Sequence, residues 1–161
     1  RGDKDVAEVA RAFGGNGFAH GTVYCVEGAR GAAMWLPPGV EPDSERLMAI
    51  VSDTPNPENL PDLMAMFEQM GAYHPAEPHW YLPLIGVDPA CQGRGLGAAL
   101  MRPALDRCDA EGVPAYLESS NPRNIPLYRR LGFEEVARRP AYYDKPGAAK
   151  TAALVMRRDL R

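Results

Sequence analysis

A glycine-rich stretch that follows an apolar run constrains this chain more than any other segment. The apolar run covers residues 80–87, and three glycines occur among the five residues 93–97. Such a run is typical of a central strand, and residues 96–111 have the spacing of a helix. Glycines let a backbone approach a ligand closely, and the free N–H groups at a helix start attract anions. The segment predicts a phosphate or pyrophosphate site, to which Arg94 can add a charged contact. A glycine-rich turn without a ligand is the alternative.

The order of predicted elements along the 161 residues indicates one domain with a mixed sheet and helices on its faces. Two β-rich segments on either side of a turn at 27–31 predict an antiparallel hairpin. Strands 80–87 and 113–118, with the helix between them, predict a right-handed parallel crossover. The other predicted elements are helices at 5–13, 43–51 and 60–70, a short helix ending at Leu131, and strands at 133–138 and 152–157.

Pro83 lies in the middle of the predicted central strand. Proline has no N–H to donate to a ladder of strand hydrogen bonds. We therefore expect either a bulge at Pro83 or a strand that is unpaired on one side there.

Composition and charge argue against several classes of protein. A net charge of −3 and a pI of about 5.6 disfavour a nucleic-acid partner, and no apolar run approaches the length of a membrane span. Cys25, Cys91 and Cys108 lack the spacing of metal ligands, as do the three histidines. We expect no nucleic acid, no membrane partner and no metal. We also expect the thiols to be reduced and the protein to be cytoplasmic. It is expected to be either a monomer or a homodimer.

A dinucleotide-binding fingerprint is one competing interpretation of the loop. Gly93, Gly95 and Ala98 have the required spacing, and Glu118 stands twenty residues further on as a ribose ligand. Against it, residues 88–92 separate the strand from the glycines, where that fingerprint needs an immediate turn. A P-loop is excluded because no G-K-[S/T] follows the glycines.

Two motifs stand out, one at residues 92–97 in the glycine-rich loop and one at residues 121–133, N-P-R-N-I-P-L-Y-R-R-L-G-F. Both resemble motifs of the GNAT superfamily of N-acetyltransferases. Residues 92–97, Q-G-R-G-L-G, fit the acyl-CoA-binding form Q/R-x-x-G-x-G/A. Residues 121–133 are similar to N-x-x-A-x-x-L-Y-x-x-x-G-F, with Asn124 where alanine is more usual. The resemblance covers about residues 80–137, and residues 114–133 are most similar to puromycin-acetyltransferase-like members.

The resemblance implies an α+β fold with a central, mostly antiparallel mixed sheet, a splayed parallel strand pair and helices on both faces. It implies a single domain over residues 1–161 in which the family's first strand is missing or trimmed. It also implies acetyl-CoA as cofactor. Strand backbone before the loop would bind the pantetheine arm, the loop amides would bind the pyrophosphate, and Asn121, with Asn124 as an alternative, would contact the arm. The implied cofactor-binding residues are Ile85, Gly86, Val87, Gln92, Gly93, Arg94, Gly95, Leu96, Gly97, Ala98, Asn121, Asn124 and Tyr128.

The implied reaction moves an acetyl group directly from the thioester to a primary amine of a small molecule or peptide. Tyr128 matches the family's general acid. Glu118 matches a glutamate that acts as base through water, and a solvated strand-end carboxylate is the alternative. His79 is a weaker alternative base. Tyr142 and Tyr143 belong either to a loop lining the acceptor site or to an exposed turn.

Two further functions remain open at this point. One is a non-catalytic acyl-CoA-binding regulatory domain with the same fold, and the less favoured one is a dinucleotide-binding oxidoreductase. Because the implied transfer is direct, Cys91 in the loop is expected to be a bystander rather than a nucleophile.

Overall fold

The computed structural model describes residues 2–53, 56–140 and 153–159, so Tyr142 and Tyr143 lie outside the described residues. Within these ranges, no helix is both long and apolar enough to cross a membrane. The helices are α1 (Gly2–Gly14), α2 (Ser44–Ser52), α3 (Leu60–Ala72), α4 (Leu96–Glu111) and α5 (Ile125–Arg130). The strands are β1 (Val23–Cys25), β2 (Gly31–Leu36), β3 (Trp80–Val87), β4 (Ala115–Ser119), β5 (Glu134–Arg139) and β6 (Ala153–Arg158).

The described strands form one sheet in the order β1-β2-β3-β4-β6-β5. The pair β3–β4 is parallel, and the other four neighbouring pairs are antiparallel. The predicted hairpin is confirmed as β1–β2, and α4 forms the predicted crossover between β3 and β4. A mostly antiparallel sheet is not the parallel sheet of a dinucleotide-binding fold, so that interpretation is wrong at the level of the fold.

Helices cover both faces of the sheet, as predicted. On one face, called here the α4/α5 face, Trp35, Leu82 and Leu117 pack with Leu100 of α4 and Tyr128 of α5. Strand side chains alternate between faces, so the residues between these strand positions point the other way.

The opposite face is called here the α1–α3 face. Its buried cluster is formed by Leu36, Tyr81, Tyr116 and Val155. Helix α1 packs on β2 and β3, α2 packs on α1, and α3 packs on α2. A Cβ added to Gly14 at the end of α1 would lie 2.6 Å from Met34 of β2, so this helix end approaches the sheet closely.

Strand β3 contains the predicted bulge, next to Pro83. The register with β2 runs from the pair Leu36–Tyr81 to the pair Met34–Leu84. Strand β3 therefore advances three residues while β2 advances two, and the extra residue lies next to Pro83.

Strand β3 also loses its other neighbour at this point. The parallel ladder with β4 ends at the pair Leu82–Leu117, although β4 continues to Ser119 and pairs there with β6. Both outcomes expected at Pro83 thus occur, and the two parallel strands separate beyond it. The separation leaves a gap in the middle of the sheet.

Candidate functional site

The loop between β3 and α4 is held in place by hydrogen bonds of its side chains and main chain. The Asp88 carboxylate accepts from the Ala90 N–H at 2.9 Å, and the Asp88 N–H donates to the Arg30 carbonyl at 2.7 Å. The Gln92 side-chain amide donates to the Val87 carbonyl at 3.1 Å. These bonds fix the strand end relative to the loop, so the glycines that follow start from a defined position.

Gly93 and Gly95 have left-handed backbones, with φ of +77° and +78°. A Cβ added to either would meet no atom within 4 Å, so the loop has an open side. Helix α4 begins directly after Gly95, and no side chain caps that end. The first N–H groups of a helix lack partners inside it, which makes Leu96, Gly97 and Ala98 available as donors. Together these features suit an anion such as a pyrophosphate.

Gly97 lies where α4 packs against α5. A Cβ there would lie 2.9 Å from Cδ2 of Leu127, on α5. The absence of a side chain at Gly97 therefore lets α4 and α5 pack closely. A larger residue at Gly97 would require the end of the Leu127 side chain to shift.

The gap between β3 and β4 contains a cavity of about 180 Å³. It is lined by residues 82–85 of β3, residues 117–121 at the end of β4, Asn124 and Tyr128. Ile85 and Gly86 still pair with β2 on their other side. The predicted phosphate loop and this cavity are thus joined by one strand, β3.

The second motif folds into a short turn and helix that aim Tyr128 at the cavity. The Asn121 side chain accepts from the Arg123 N–H at 3.0 Å, which caps the turn before α5. Gly132, with φ of +96°, ends the helix, and the Phe133 N–H donates back to the Tyr128 carbonyl at 3.0 Å. A left-handed glycine followed by such a bond is a common helix ending.

Tyr128 is 4% exposed, and its ring packs edge-on against Phe133 at 6.1 Å. Burial raises its pKa above the ordinary tyrosine value, against a smaller opposing effect of a hydrogen bond with Asn124. The phenol is therefore protonated at neutral pH and can act as a proton donor inside the cavity.

Glu118 is neither solvated nor on the same face as Tyr128. Its side chain is 8% exposed, and one carboxylate oxygen accepts from Arg139 at 2.8 Å. The other oxygen accepts from the Tyr116 hydroxyl at 2.8 Å, on the α1–α3 face. The interpretation of Glu118 as a solvated strand-end carboxylate is wrong, because the β5 side chain Arg139 folds over it.

The two predicted catalytic residues therefore approach the same gap from opposite faces. Tyr128 belongs to the α4/α5 cluster, Glu118 to the α1–α3 face, and both line the cavity where β3 leaves β4. A ligand reaching the cavity along β3 from the phosphate loop and a second ligand coming from the α1–α3 face can meet there.

The other candidate residues do not line the cavity in the gap. His79 has one ring nitrogen, Nδ1, 2.8 Å from the Glu77 carbonyl. Cys91 is buried beneath the loop, with Arg30 Nη1 3.7 Å from its sulfur. Arg94 is exposed in the loop. Within the described residues, no three His, Cys, Asp or Glu side chains are grouped closely enough to hold a metal.

Sequence reasoning missed Tyr116, Arg139 and His74, which surround Glu118 or face it. Tyr116 could have been found from strand alternation, since it precedes Glu118 by two residues and so shares its face. Arg139 and His74 carry no such local signal, because they come from β5 and from the segment after α3.

Comparison with known proteins agrees with this geometry. Residues 37–133, more than half of the chain, match the family model described as the acetyltransferase (GNAT) family. N-alpha-acetyltransferase RimI of Mycobacterium tuberculosis is 48% identical over 77 residues, which cover 47% of this chain and 46% of RimI. A mycothiol acetyltransferase of Beutenbergia cavernae is 49% identical over 57 residues, covering 34% of this chain and 19% of that protein.

A solved structure has a similar fold over most of this chain. The Corynebacterium glutamicum protein described as histone acetyltransferase HPA2 and related acetyltransferase has a TM-score of 0.55 and 25% identity. The match covers 86% of this chain and 63% of that one. The chain spans less than half the length of the two curated relatives. With the family model covering both motifs, the glycine loop and the tyrosine helix, the chain belongs to the GNAT family of acetyltransferases.

Proposed function

We propose that this chain is an acetyl-CoA-dependent N-acetyltransferase that transfers the acetyl group directly to a primary amine. One observation carries the proposal. The open glycine loop and the gap with Tyr128 lie at two positions along the same strand, β3, so one extended ligand can occupy both. Coenzyme A has this form, with a diphosphate at one end of a long arm and a thiol at the other.

The residues present fit that coenzyme. Leu96, Gly97 and Ala98 offer main-chain donors beside the open side of Gly93 and Gly95, and a side chain at either of those two glycines would fill the space. Arg94 adds a charge-assisted contact. The other proposed contacts are made by Ile85, Gly86 and Val87, by Gln92 in the loop, and by Asn121 and Asn124 at the end of the arm.

Acetyl-CoA, when bound, supplies the acetyl group as a thioester. The protonated Tyr128 hydroxyl can donate its proton to the departing sulfur, which makes the thiol a better leaving group. The edge of β3 beyond Leu82, which β4 leaves uncovered, can direct a backbone N–H at the oxyanion that forms during transfer.

The amine must lose a proton, because an alkylamine with a pKa near about 10.4 is charged at neutral pH. We assign the acceptance of that proton, through water, to Glu118. Its negative charge is held in place by Arg139 and by the Tyr116 hydroxyl, which keeps the carboxylate at the edge of the gap.

Relatives named N-alpha-acetyltransferase and mycothiol acetyltransferase are consistent with an amine acceptor. We extend this to a small-molecule or peptide amine as substrate. A cytoplasmic location remains part of the proposal.

The test is an assay of thiol release from acetyl-CoA over a panel of amines, together with calorimetry of coenzyme A binding. The proposal predicts saturable thiol release with at least one amine class. Coenzyme A binding without thiol release for any amine would instead favour a non-catalytic acyl-CoA-binding domain. No binding of coenzyme A would overturn both.

A further inference from the structure

A second pocket opens on the α1–α3 face, across the sheet from α4 and α5. Its volume is about 130 Å³, and it is lined by residues 39–42, His74, Pro75, His79 and Tyr81. The loop at 39–42 is attached to the body of the protein on both sides. The Asn16 side chain donates to the Glu41 carbonyl at 2.8 Å, and the N–H of Asp43 donates to the Ala12 carbonyl at 2.8 Å. The pocket is therefore a formed feature of the fold.

Aromatic rings make the inner wall of this pocket. The His74 ring lies 4.4 Å from the Tyr81 ring and 4.8 Å from the Tyr116 ring. The His79 ring lies 5.8 Å from that of His74. Aromatic faces attract cations, and the attraction is stronger where water is partly excluded.

The charges around the pocket are also suited to a cation. Glu41 is the one carboxylate among its lining residues, no Lys or Arg is among them, and Glu41 is exposed at the rim. Burial lowers the pKa of His74, and the nearby His79 lowers it further. Together these two effects outweigh the opposing effects of Glu118 and Glu41. His74 is therefore uncharged at neutral pH and does not repel a bound cation. The inner wall also holds the phenols of Tyr81 and Tyr116, whose pKa values burial raises. His79 is a further titratable group that lines the pocket. Glu118 and Arg139 lie close enough to act on both phenols, and their charges are paired with each other at 2.8 Å.

The position of the pocket relates it to the gap. Tyr81 lines the pocket, and Pro83, two residues further along β3, lines the cavity in the gap. Two residues of extended strand correspond to about 7 Å. An acceptor whose reacting amine lies in the gap can therefore place a second functional group in the pocket. This requires five or six bonds between the amine and that second group.

We propose that this pocket is the subsite for a second cationic group of the acceptor, so that the chain prefers diamines or similar dications over simple amines. The inference rests on the proposed function, since it assigns the remainder of the substrate to a place beside the reacting amine. Glu41 would pair with the distal ammonium, and the rings of Tyr81 and His74 would cover it.

The experiment measures kcat/KM for 1,5-diaminopentane and for pentylamine, which has the same chain and lacks the second charge. We expect the diamine to be preferred by about tenfold, the size expected of a partly exposed ion pair combined with a cation–π contact. A shorter diamine, 1,2-diaminoethane, should lose most of this preference because it cannot span the distance.

Glu41→Gln should remove the preference for the diamine while leaving kcat/KM for pentylamine unchanged, and Glu41→Lys should reverse it. Glu45→Gln is the matched control, because Glu45 is an exposed acid on the neighbouring helix α2 and does not line the pocket. An equal preference in wild type and in Glu41→Gln, or no preference in wild type, would overturn the proposal.

Calorimetry with 1,5-diaminopentane alone separates this inference from the proposed function. Binding that is lost in Glu41→Gln supports the pocket even if no amine is acetylated, whereas the absence of diamine binding and of any preference removes it. Coenzyme A binding, measured in parallel, reports on the glycine loop and does not depend on Glu41.

Discussion

The Tyr128 hydroxyl is buried at the end of the cavity, where its environment keeps it protonated. Tyr128→Phe removes the proton donor and preserves the packing against Phe133. We expect kcat to fall by about one to two orders of magnitude, near the low end for general acid catalysis, with little change in coenzyme A affinity. In the wild type, the raised pKa means that kcat should show no alkaline decline attributable to Tyr128 below the ordinary tyrosine pKa.

Steady-state kinetics across pH, with calorimetry of both proteins, measure these effects. Unchanged kcat in Tyr128→Phe would remove Tyr128 from the reaction. A large loss of coenzyme A affinity would show that Tyr128 binds rather than donates.

Glu118 has a structural role that can be measured apart from any catalytic one. Glu118→Gln removes the negative charge that pairs with Arg139, whose other side-chain contact among the described residues is to Gln69 at 3.4 Å. Breaking a buried ion pair from one side is costly, and we expect a loss of about 2 to 3 kcal/mol in the free energy of unfolding. The control is Glu135→Gln, whose partner Arg138 is exposed on the same strand, and it should leave stability unchanged.

Urea unfolding measures that loss, and kcat is then compared where both variants are fully folded. If Glu118 accepts the proton of the amine, kcat of Glu118→Gln falls by about a hundredfold or more under those conditions. Normal turnover in the folded variant would limit Glu118 to holding Arg139 and Tyr116 in place.

Helix α4 shows what local sequence can specify. Its predicted span, residues 96–111, is the observed one, because left-handed glycines at Gly95 and Gly112 mark both ends. Residues 21–26 form the β-rich segment before the predicted turn at 27–31, and β1 is shorter than this segment. Turns at Gly15–His20 and Glu27–Ala29 limit the strand on either side. The first of these turns is bonded to the sheet through Thr22, whose N–H donates to the Gly17 carbonyl at 3.0 Å and whose buried hydroxyl donates to the Trp35 carbonyl at 2.6 Å. That bond joins positions that only folding brings together.

The candidate site likewise has features that the sequence could predict and features that it could not. The loop, Pro83 and the tyrosine helix lie in continuous segments whose chemistry is visible in the sequence. The surroundings of Glu118 come from β5 and from the segment after α3, so the burial of its carboxylate could not be predicted from its own strand. The packing of Gly97 against Leu127 likewise depends on how α5 returns to α4.

The glycine loop can be tested as an element with a matched control. Gly95→Val introduces a side chain on the open side of the loop and should abolish coenzyme A binding. The control is Gly21→Val, since Gly21 also has a positive φ, of +66°, with no atom within 4 Å of an added Cβ. Both variants should lose similar stability from backbone strain, of about 1 to 2 kcal/mol.

Calorimetry of coenzyme A binding and thermal unfolding of the two variants separate strain from obstruction. We expect only Gly95→Val to lose binding. Equal affinity in the two proteins would show that the loop does not contact the coenzyme.

At the scale of the whole molecule, the sheet separates two helix-covered faces, and the gap between β3 and β4 connects them. Helices α4 and α5 cover one face, α1–α3 cover the other, and the two faces communicate where β3 and β4 separate at Pro83. This arrangement lets the coenzyme and the amine approach from opposite sides. It also explains why the two proposed catalytic groups belong to different packing clusters and still face a common cavity.

A crystal structure of the chain with coenzyme A tests this arrangement most directly. We expect the diphosphate to accept hydrogen bonds from main-chain amides between Gly93 and Ala98, and the sulfur to lie within hydrogen-bond distance of the Tyr128 hydroxyl. A coenzyme bound elsewhere, or a sulfur placed away from the gap between β3 and β4, would contradict it.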